Sequence, residues 1–208
     1  MIQLDNVISC IHGKVKARPE ELLLAMEGKL TKTDRYLLSN SLEEYRLYTK
    51  KITEMEQYIQ QYCLECFPEE YALLQEIPGV KANTAAVILG EIGPDVTAFA
   101  TEGQLASWAG VAPGSYESAG IKKSSRTTRG NKYLKTALVM SGGIAAHSKD
   151  DAFSQLFYRL ANKGSKMKAR VACAHKLLRI IYKVLSDHVH YNKQKALGLR
   201  QQALALQN

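Results

Sequence analysis

The chain of 208 residues is 46% hydrophobic and 23% charged, enough to bury a core, and this excludes a disordered or collagen-like polypeptide. No apolar run is long enough to cross a bilayer, and Met1 to Asp5 lacks the basic-then-apolar start of a secretory signal, so a cytoplasmic location without membrane contact is expected. The net charge of +8 is unevenly placed: residues 1–76 hold 9 basic and 13 acidic side chains, whereas residues 77–208 hold 19 and 7. A field of that sign over the second part suits a polyanion, of which nucleic acid is the commonest in a cytosol; a basic but merely soluble domain is the alternative.

In chain order, Pro19 suits the first turn of a short helix from Glu20 to Met26 that stops near Gly28. From about Thr33 to Cys66 there is neither Gly nor Pro, and Leu38, Leu42, Tyr45, Tyr48, Ile52, Met55, Ile59, Tyr62 and Cys66 recur at spacings of three and four. This predicts one long helix with a single apolar seam. The seam requires cover from an antiparallel neighbour such as the Glu20–Met26 segment, or from the same helix of a second subunit. Phe67-Pro68 breaks it and starts a shorter helix through Gln75.

Ile77-Pro78-Gly79-Val80 then leads into the helical stretch Thr84 to Leu89. Helix, Pro-Gly turn and helix read as a helix-hairpin-helix-like element, whose backbone N–H groups can face a phosphate, or as a plain helical corner capped by Gly79. Lys81 stands where a second glycine is common in such hairpins, and its ammonium could meet a phosphate instead. A short helix from Gln104 to Ala109 carries Trp108, which its apolar neighbours mark as a core anchor.

Residues 112–135 are rich in small and hydroxyl side chains and then in cations, and read as a loop. Lys122, Lys123, Arg126, Arg129, Lys132 and Lys135 fall within 14 positions, and no acid lies between Glu117 and Asp150. Asn131 opens a helix through Leu134, Leu138 and Ile144. Helices follow from Ala152 to Leu160, behind an Asp150 cap, and from Lys166 to about Ser186. The last is expected to point Val171, Leu177, Leu178, Ile181 and Leu185 inward and Lys168, Arg170, Lys176, Arg179 and Lys183 mostly outward. The fold class is therefore mainly α: a helical or coiled-coil arm over 1–68, a compact helical domain over 69–190, and a polar tail or frayed helix over 191–208.

The four cysteines are expected to remain thiols. Cys10-x-His12 with Cys63-x-x-Cys66 lacks the spacing of a zinc ribbon, and the acids of the basic part are scattered, so no metal site is expected within the chain. His147, His175, His188 and His190 have no grouped ligand partners and read as ordinary helix residues or phosphate contacts. What remains is hydroxyl chemistry at Ser115 or Ser118, where surrounding cations would offset the charge of a phosphorane. No general base stands out; Glu117 is adjacent only in sequence.

Together, Leu73 to Val80, Leu105 to Gly114, Glu117-Ser118-Ala119-Gly120 and Arg129-Gly130-Asn131-Lys132-Tyr133-Leu134 resemble the C-terminal half of insertion-sequence transposases of the IS one-ten class, over about 120 residues. The preceding long helix is similar to the coiled coil of that family. The resemblance implies DNA transposition by strand transfer through a serine nucleophile, which maps to Ser118. The hairpin element and the acid-free basic run add expected nucleic-acid contacts by Gly79, Lys81, Lys122, Lys123, Arg126, Arg129, Asn131 and Lys132. DNA, a structured guide RNA and a homo-oligomer through the Leu38–Cys66 helix are the implied partners. In the family an N-terminal ribonuclease-H-like domain supplies four metal-binding acids; the sequence shows no such domain, so Mg2+ is expected only with it and the isolated chain is expected to be inactive as a recombinase. The alternative is a non-enzymatic DNA- or RNA-binding module that dimerises through its long helix.

Overall fold

The computed structural model describes residues 4–114, 116–118, 121–124 and 126–197, with the backbone alone at 116–118 and 121–124. The chain forms two compact units, Met1–Glu54 and Met55–Asn208. Its architecture is mainly α, as its periodicity predicts, with one short β-hairpin. The elements are α1 (Leu4–Cys10), α2 (Pro19–Ala25), α3 (Lys32–Cys66), α4 (Pro68–Gln75), α5 (Ala82–Ile92), α6 (Glu102–Trp108), β1 (Tyr116–Ser118), β2 (Ile121–Ser124), α7 (Lys132–Ala146), α8 (Asp151–Lys163) and α9 (Lys166–Asp187). None of the described helices is long and apolar enough to cross a membrane.

In the first unit, α1 packs on α2 and buries Val7. The start of α3 is fixed reciprocally: the Thr31 N–H donates to Asp34 Oδ2 at 2.9 Å, and the Asp34 N–H donates to Thr31 Oγ1 at 3.1 Å. The hydrogen bonds from Thr31 hold the Asp34 carboxyl below its ordinary range. The apolar seam forms as predicted, yet Leu38, Leu42, Tyr45, Tyr48 and Ile52 are all more than half exposed. The Glu20–Met26 segment does not cover it, because α2 packs on α1 instead.

In the second unit the last turns of α3 are tied to the start of α5. Asn83 Nδ2 donates to Glu56 Oε1 at 2.7 Å, and Gln60 Nε2 donates to Asn83 Oδ1 at 2.9 Å. The core centres on α9, whose Cys173, Ala174, Leu177, Leu178 and Ile181 are fully buried against α4, α6, α7 and α8. Small residues let α7 approach α9 closely: a Cβ on Gly142 would lie 2.7 Å from the Ala174 nitrogen. Burial pushes the Cys173 thiol up to about 11, so it packs as a small hydrophobe rather than a nucleophile.

Several side-chain assignments differ from the sequence expectation. Val171, expected to point inward, is only partly buried. Trp108 leans on Phe99 at 5.5 Å between ring centroids but keeps 40% of its surface, so it is a rim residue and not a core anchor. Two cations of α9 expected outward are engaged by neighbouring elements, whereas Lys183 stays exposed and pairs within its own helix. Lys176 Nζ donates to the Ala152 carbonyl at 2.8 Å, Arg179 Nε donates to Glu102 Oε1 at 2.6 Å, and Lys183 pairs with Asp187 at 2.8 Å. Asp150 caps α8 through Oδ1, accepting from the Ala152 N–H at 2.8 Å, while its Oδ2 accepts from the Tyr191 hydroxyl at 2.9 Å. That bond, the His190–Glu76 contact and buried Ala196 fasten the segment after α9 to the domain as far as residue 197.

His175 on α9 provides a pH readout of this packing. Burial first, then the neighbouring Arg179, holds its imidazole below the ordinary 6.5, with Glu102 opposing in part. Below that value the unfolded chain binds a proton that the folded chain refuses. The stabilisation is therefore present above 6.5 and lost as the pH falls through the folded pKa. Thermal melts between about pH 7.5 and about pH 5.5 should show a falling midpoint that flattens in His175→Gln; an identical slope in the variant would remove His175 as the source.

Candidate nucleic-acid interface

Between α6 and α7 the described residues pair as an antiparallel ribbon rather than an irregular loop. Ser118 faces Ile121 in register, Glu117 faces Lys122 and Tyr116 faces Ser124, with an irregularity between the first two rungs from the open end. Further down, Pro113 bridges Thr127, the Gly114 N–H donates to the Arg126 carbonyl at 3.0 Å, and the Thr128 N–H donates to the Ala112 carbonyl at 3.2 Å. Ser118 therefore occupies the last paired position at the distal end of β1.

The root of this ribbon is pinched between two glycines. Gly110 adopts φ +73°, open to glycine at little cost, and the Gly130 backbone lies directly against it. The Asn131 N–H donates to the Trp108 carbonyl at 3.0 Å, the Thr128 hydroxyl donates to the Ser107 carbonyl at 3.1 Å, and Lys135 Nζ donates to Thr127 Oγ1 at 2.8 Å. Lys135 thus serves the root of the hairpin. These contacts fix the root of the hairpin to α6 and α7.

The sequence-predicted site residues fall into distinct places. Asn131 caps α7, its Oδ1 accepting from the Tyr133 and Leu134 N–H groups at 2.9 and 3.0 Å, while its Nδ2 donates to Glu91 on α5. Both ends of that amide are committed within the fold. Lys132 is exposed, with its ammonium 4.9 Å from the centroid of the Tyr133 ring, and Arg129 is exposed beside the root. Arg126 is exposed and takes part in interactions within the chain. The backbone of Lys122 and Lys123 lies on β2 and that of Ser118 on β1; their side chains, and all of Ser115, lie outside the described residues.

Gly79 and Lys81 are elsewhere. The Val80 N–H donates to the Ile77 carbonyl at 3.0 Å, and Gly79 has φ +84°, giving a turn with Pro78 first and Gly79 second, the residues a type II turn prefers. The α-carbon face of Gly79 is pressed onto α7 at Ser141 and Ala145. Lys81 follows as the exposed N-cap residue of α5. At 1.5 Å per residue, the twelve or so residues from Asn131 to that contact span about 18 Å. The α4–α5 turn and the root of the hairpin therefore lie near opposite ends of α7. Glu91, which orients Asn131 across 40 positions of sequence, escaped the sequence reading because no local pattern couples the end of one helix to the cap of another.

Among the described residues no group of three His, Cys, Asp or Glu side chains could hold a metal ion. The described side chains therefore do not fit a Mg2+ site. Cys63 is buried at the end of α3 with its thiol pushed up by that burial, and Cys66 is exposed.

Comparison with known proteins gives this geometry a family. Residues 71–159, from α4 to the middle of α8, match the model of the Transposase IS116/IS110/IS902 family. The chain is 33% identical over 166 residues to the pilin gene-inverting proteins of Moraxella bovis and Moraxella lacunata, covering 76% of this chain and 51% of each relative. It is 31% identical over 129 residues to an uncharacterized 43.6 kDa protein of insertion element IS110 from Streptomyces coelicolor, covering 61% of this chain and 31% of that protein. The chain spans about half the length, or less, of the curated relatives it matches. The matched span contains the whole hairpin, both pinching glycines and the α7 cap, and over that span this chain is similar to the C-terminal part of IS110-class transposases.

Proposed function

We propose that this chain is the DNA-handling part of a recombinase that breaks and rejoins strands through Ser118, as transposition or segment inversion requires. The placement of the Ser118 backbone at the distal end of a hairpin locked to α6 and α7 carries this reading. A rigid root keeps a reactive group within the small tolerance that phosphoryl transfer demands. In the reaction the Ser118 hydroxyl attacks a backbone phosphorus, the phosphodiester bond to the leaving sugar oxygen breaks, and that oxygen takes up a proton. Lys122, Lys123, Arg126, Arg129 and Lys132 serve the phosphates on either side, and cations of this kind offset the charge of the phosphorane. The α4–α5 turn with Lys81 is a second, separate phosphate contact of the helix-hairpin-helix kind. The names of the Moraxella relatives, which describe inversion of a pilin gene, favour recombination as the class of reaction.

Two measurements test this. Binding of the chain to duplex DNA should weaken steeply with salt, with each phosphate contact adding about 0.9 to the slope; a flat affinity would remove the phosphate contacts. In the complete recombination reaction, with any acidic metal-binding partner domain supplied, Ser118→Ala should abolish the covalent protein–DNA adduct while leaving binding intact. Unchanged strand transfer in that variant would remove Ser118 from the mechanism.

The uncovered seam of α3 supports a further element of this reading, a homodimer joined through Leu38 to Cys66. A non-enzymatic module that coats nucleic acid as such a dimer is the competing function. Sedimentation should report a dimer that Leu42→Glu with Ile52→Glu converts to a monomer of unchanged helical content; a wild-type monomer at high concentration would overturn it.

A further inference from the structure

Residues 152–186, covering nearly all of α8 and α9, contain eight cations and no acid. The fold divides them sharply. Lys176, Arg179 and Lys183 are spent on the Ala152 carbonyl, Glu102 and Asp187. Arg159, Lys163, Lys166, Lys168 and Arg170, gathered where α8 turns into α9, are all exposed, and no acidic side chain pairs with any of them among the described residues. Packing so many like charges into one corner costs stability, and lysines in the first turn of α9 also oppose the helix dipole.

Beside these cations stands an aromatic pair that no core requires. The Arg170 side chain lies against Gly143 of α7, with Cδ and Nε 3.7 Å from where a Cβ would be. The carbonyl of the same Gly143 is 2.8 Å from His147 Nδ1. A carbonyl only accepts, so Nδ1 carries the proton and Nε2 is left available. The His147 ring packs on Phe157 at 5.1 Å and meets Tyr158 at 6.5 Å, while Phe157 supports Tyr158 edge-on at 5.4 Å. Phe157 is buried, whereas His147 and Tyr158 are exposed, Tyr158 by 53%. Arg170, His147 and Tyr158 are thus linked through Gly143 and Phe157 into one continuous surface.

We propose that this surface binds an unpaired polynucleotide strand, with Tyr158 and His147 stacking on its bases and Arg170, Arg159 and Lys166 meeting its phosphates. The charge selects a polyanion, and exposed rings next to that charge select bases whose faces are open, which a duplex does not offer. The surface is distinct from the hairpin: His147 follows α7 and Lys132 begins it, a separation along the helix of about 22 Å. An unpaired strand can come from a loop of a structured RNA or from DNA opened during recombination.

The test uses the full chain and labelled short oligonucleotides in fluorescence anisotropy: U-rich single-stranded RNA, single-stranded DNA of matching sequence, and the DNA duplex. Tyr158→Ala should weaken single-strand binding on the order of tenfold, Tyr158→Phe should restore it, and neither should change duplex binding. Arg170→Ala with Arg159→Ala should lower the single-strand salt slope by about 1.4. Tighter binding of RNA than of DNA identifies an RNA loop as the ligand, and equal binding identifies any open strand; both support the proposal. Equal loss of duplex binding in Tyr158→Ala, or undiminished single-strand binding in a variant with wild-type melting, overturns it. Arg129→Ala with Lys132→Ala reports on the hairpin separately, since it should weaken duplex binding and leave the single strand unaffected.

Discussion

Gly79→Ala should be among the most damaging single substitutions in the helical unit, lowering its stability by about 2–5 kcal/mol, from left-handed backbone strain of about 1–2 kcal/mol and overpacking of about 1–3 kcal/mol. The glycine sits at φ +84° in the turn between α4 and α5, a conformation alanine adopts only with strain. Its missing side chain is also where α7 passes. A Cβ there would overlap the Ser141 carbonyl oxygen and lie 2.9 Å from the Ala145 nitrogen, both backbone atoms of a helix that cannot yield locally. Relief requires α5 to move off α7, which would disturb the Ser141 to Thr84 hydroxyl contact and the burial of Ile77 and Val80. Denaturant unfolding of Gly79→Ala against wild type measures the loss. A change within about 0.5 kcal/mol, the usual effect of a surface substitution, would show that the turn is not pressed on α7 as described.

Gly130→Ala should act on the hairpin rather than on the core. A Cβ at this position would overlap the Gly110 nitrogen and the Trp108 carbonyl oxygen and lie 2.7 Å from the Ala109 carbonyl carbon. The two strands at the root must then separate, which breaks the Asn131 to Trp108 hydrogen bond and strains the Thr128 to Ala112 pair. Helical content should persist, because α7 keeps the Asn131 cap and its buried Leu134 and Leu138. Amide exchange at Gly114 and Thr128 should rise by at least tenfold, about 1.4 kcal/mol of lost protection, and formation of the Ser118 adduct should fall with it. Full protection at both amides together with an unchanged melting point would show that the pinch does not hold the hairpin.

The sequence made the helices legible because their signal is local. The seam from Leu38 to Cys66 predicted a helix from about Thr33, and α3 runs over Lys32–Cys66. Pro68, the Asp150 cap and the Asn131 cap marked helix starts that the structure has at those positions. The hairpin was harder to see. Its strands are three and four residues long and rich in Ser and Lys, so they lack the apolar alternation that marks a half-buried strand.

Side-chain fates on the helices depended on neighbours that periodicity does not name. Lys176, Arg179 and Lys183 lie along one side of α9, where Ala152, Glu102 and Asp187 engage them, while Arg170 projects from another side near the helix start and remains exposed. Trp108 lies among apolar residues in sequence and still ends on the rim, because α6 turns Leu105 and Ala106 inward and leaves the ring against Phe99.

By itself the sequence determined the mainly helical class, the limits of the long helix, the cationic character of the second part and the family motifs, all of which follow from residue type and spacing along the chain. The tertiary structure decided that the motif carrying Ser118 is a rooted hairpin, that the α4–α5 turn lies near the far end of α7 from it, and which cations remain exposed. The reason is physical: a helix records its own period in neighbouring residues, whereas the Gly110–Gly130 pinch, the Glu91–Asn131 bond and the pairing of Arg179 join positions 20 to 77 residues apart and exist only once the helices have packed.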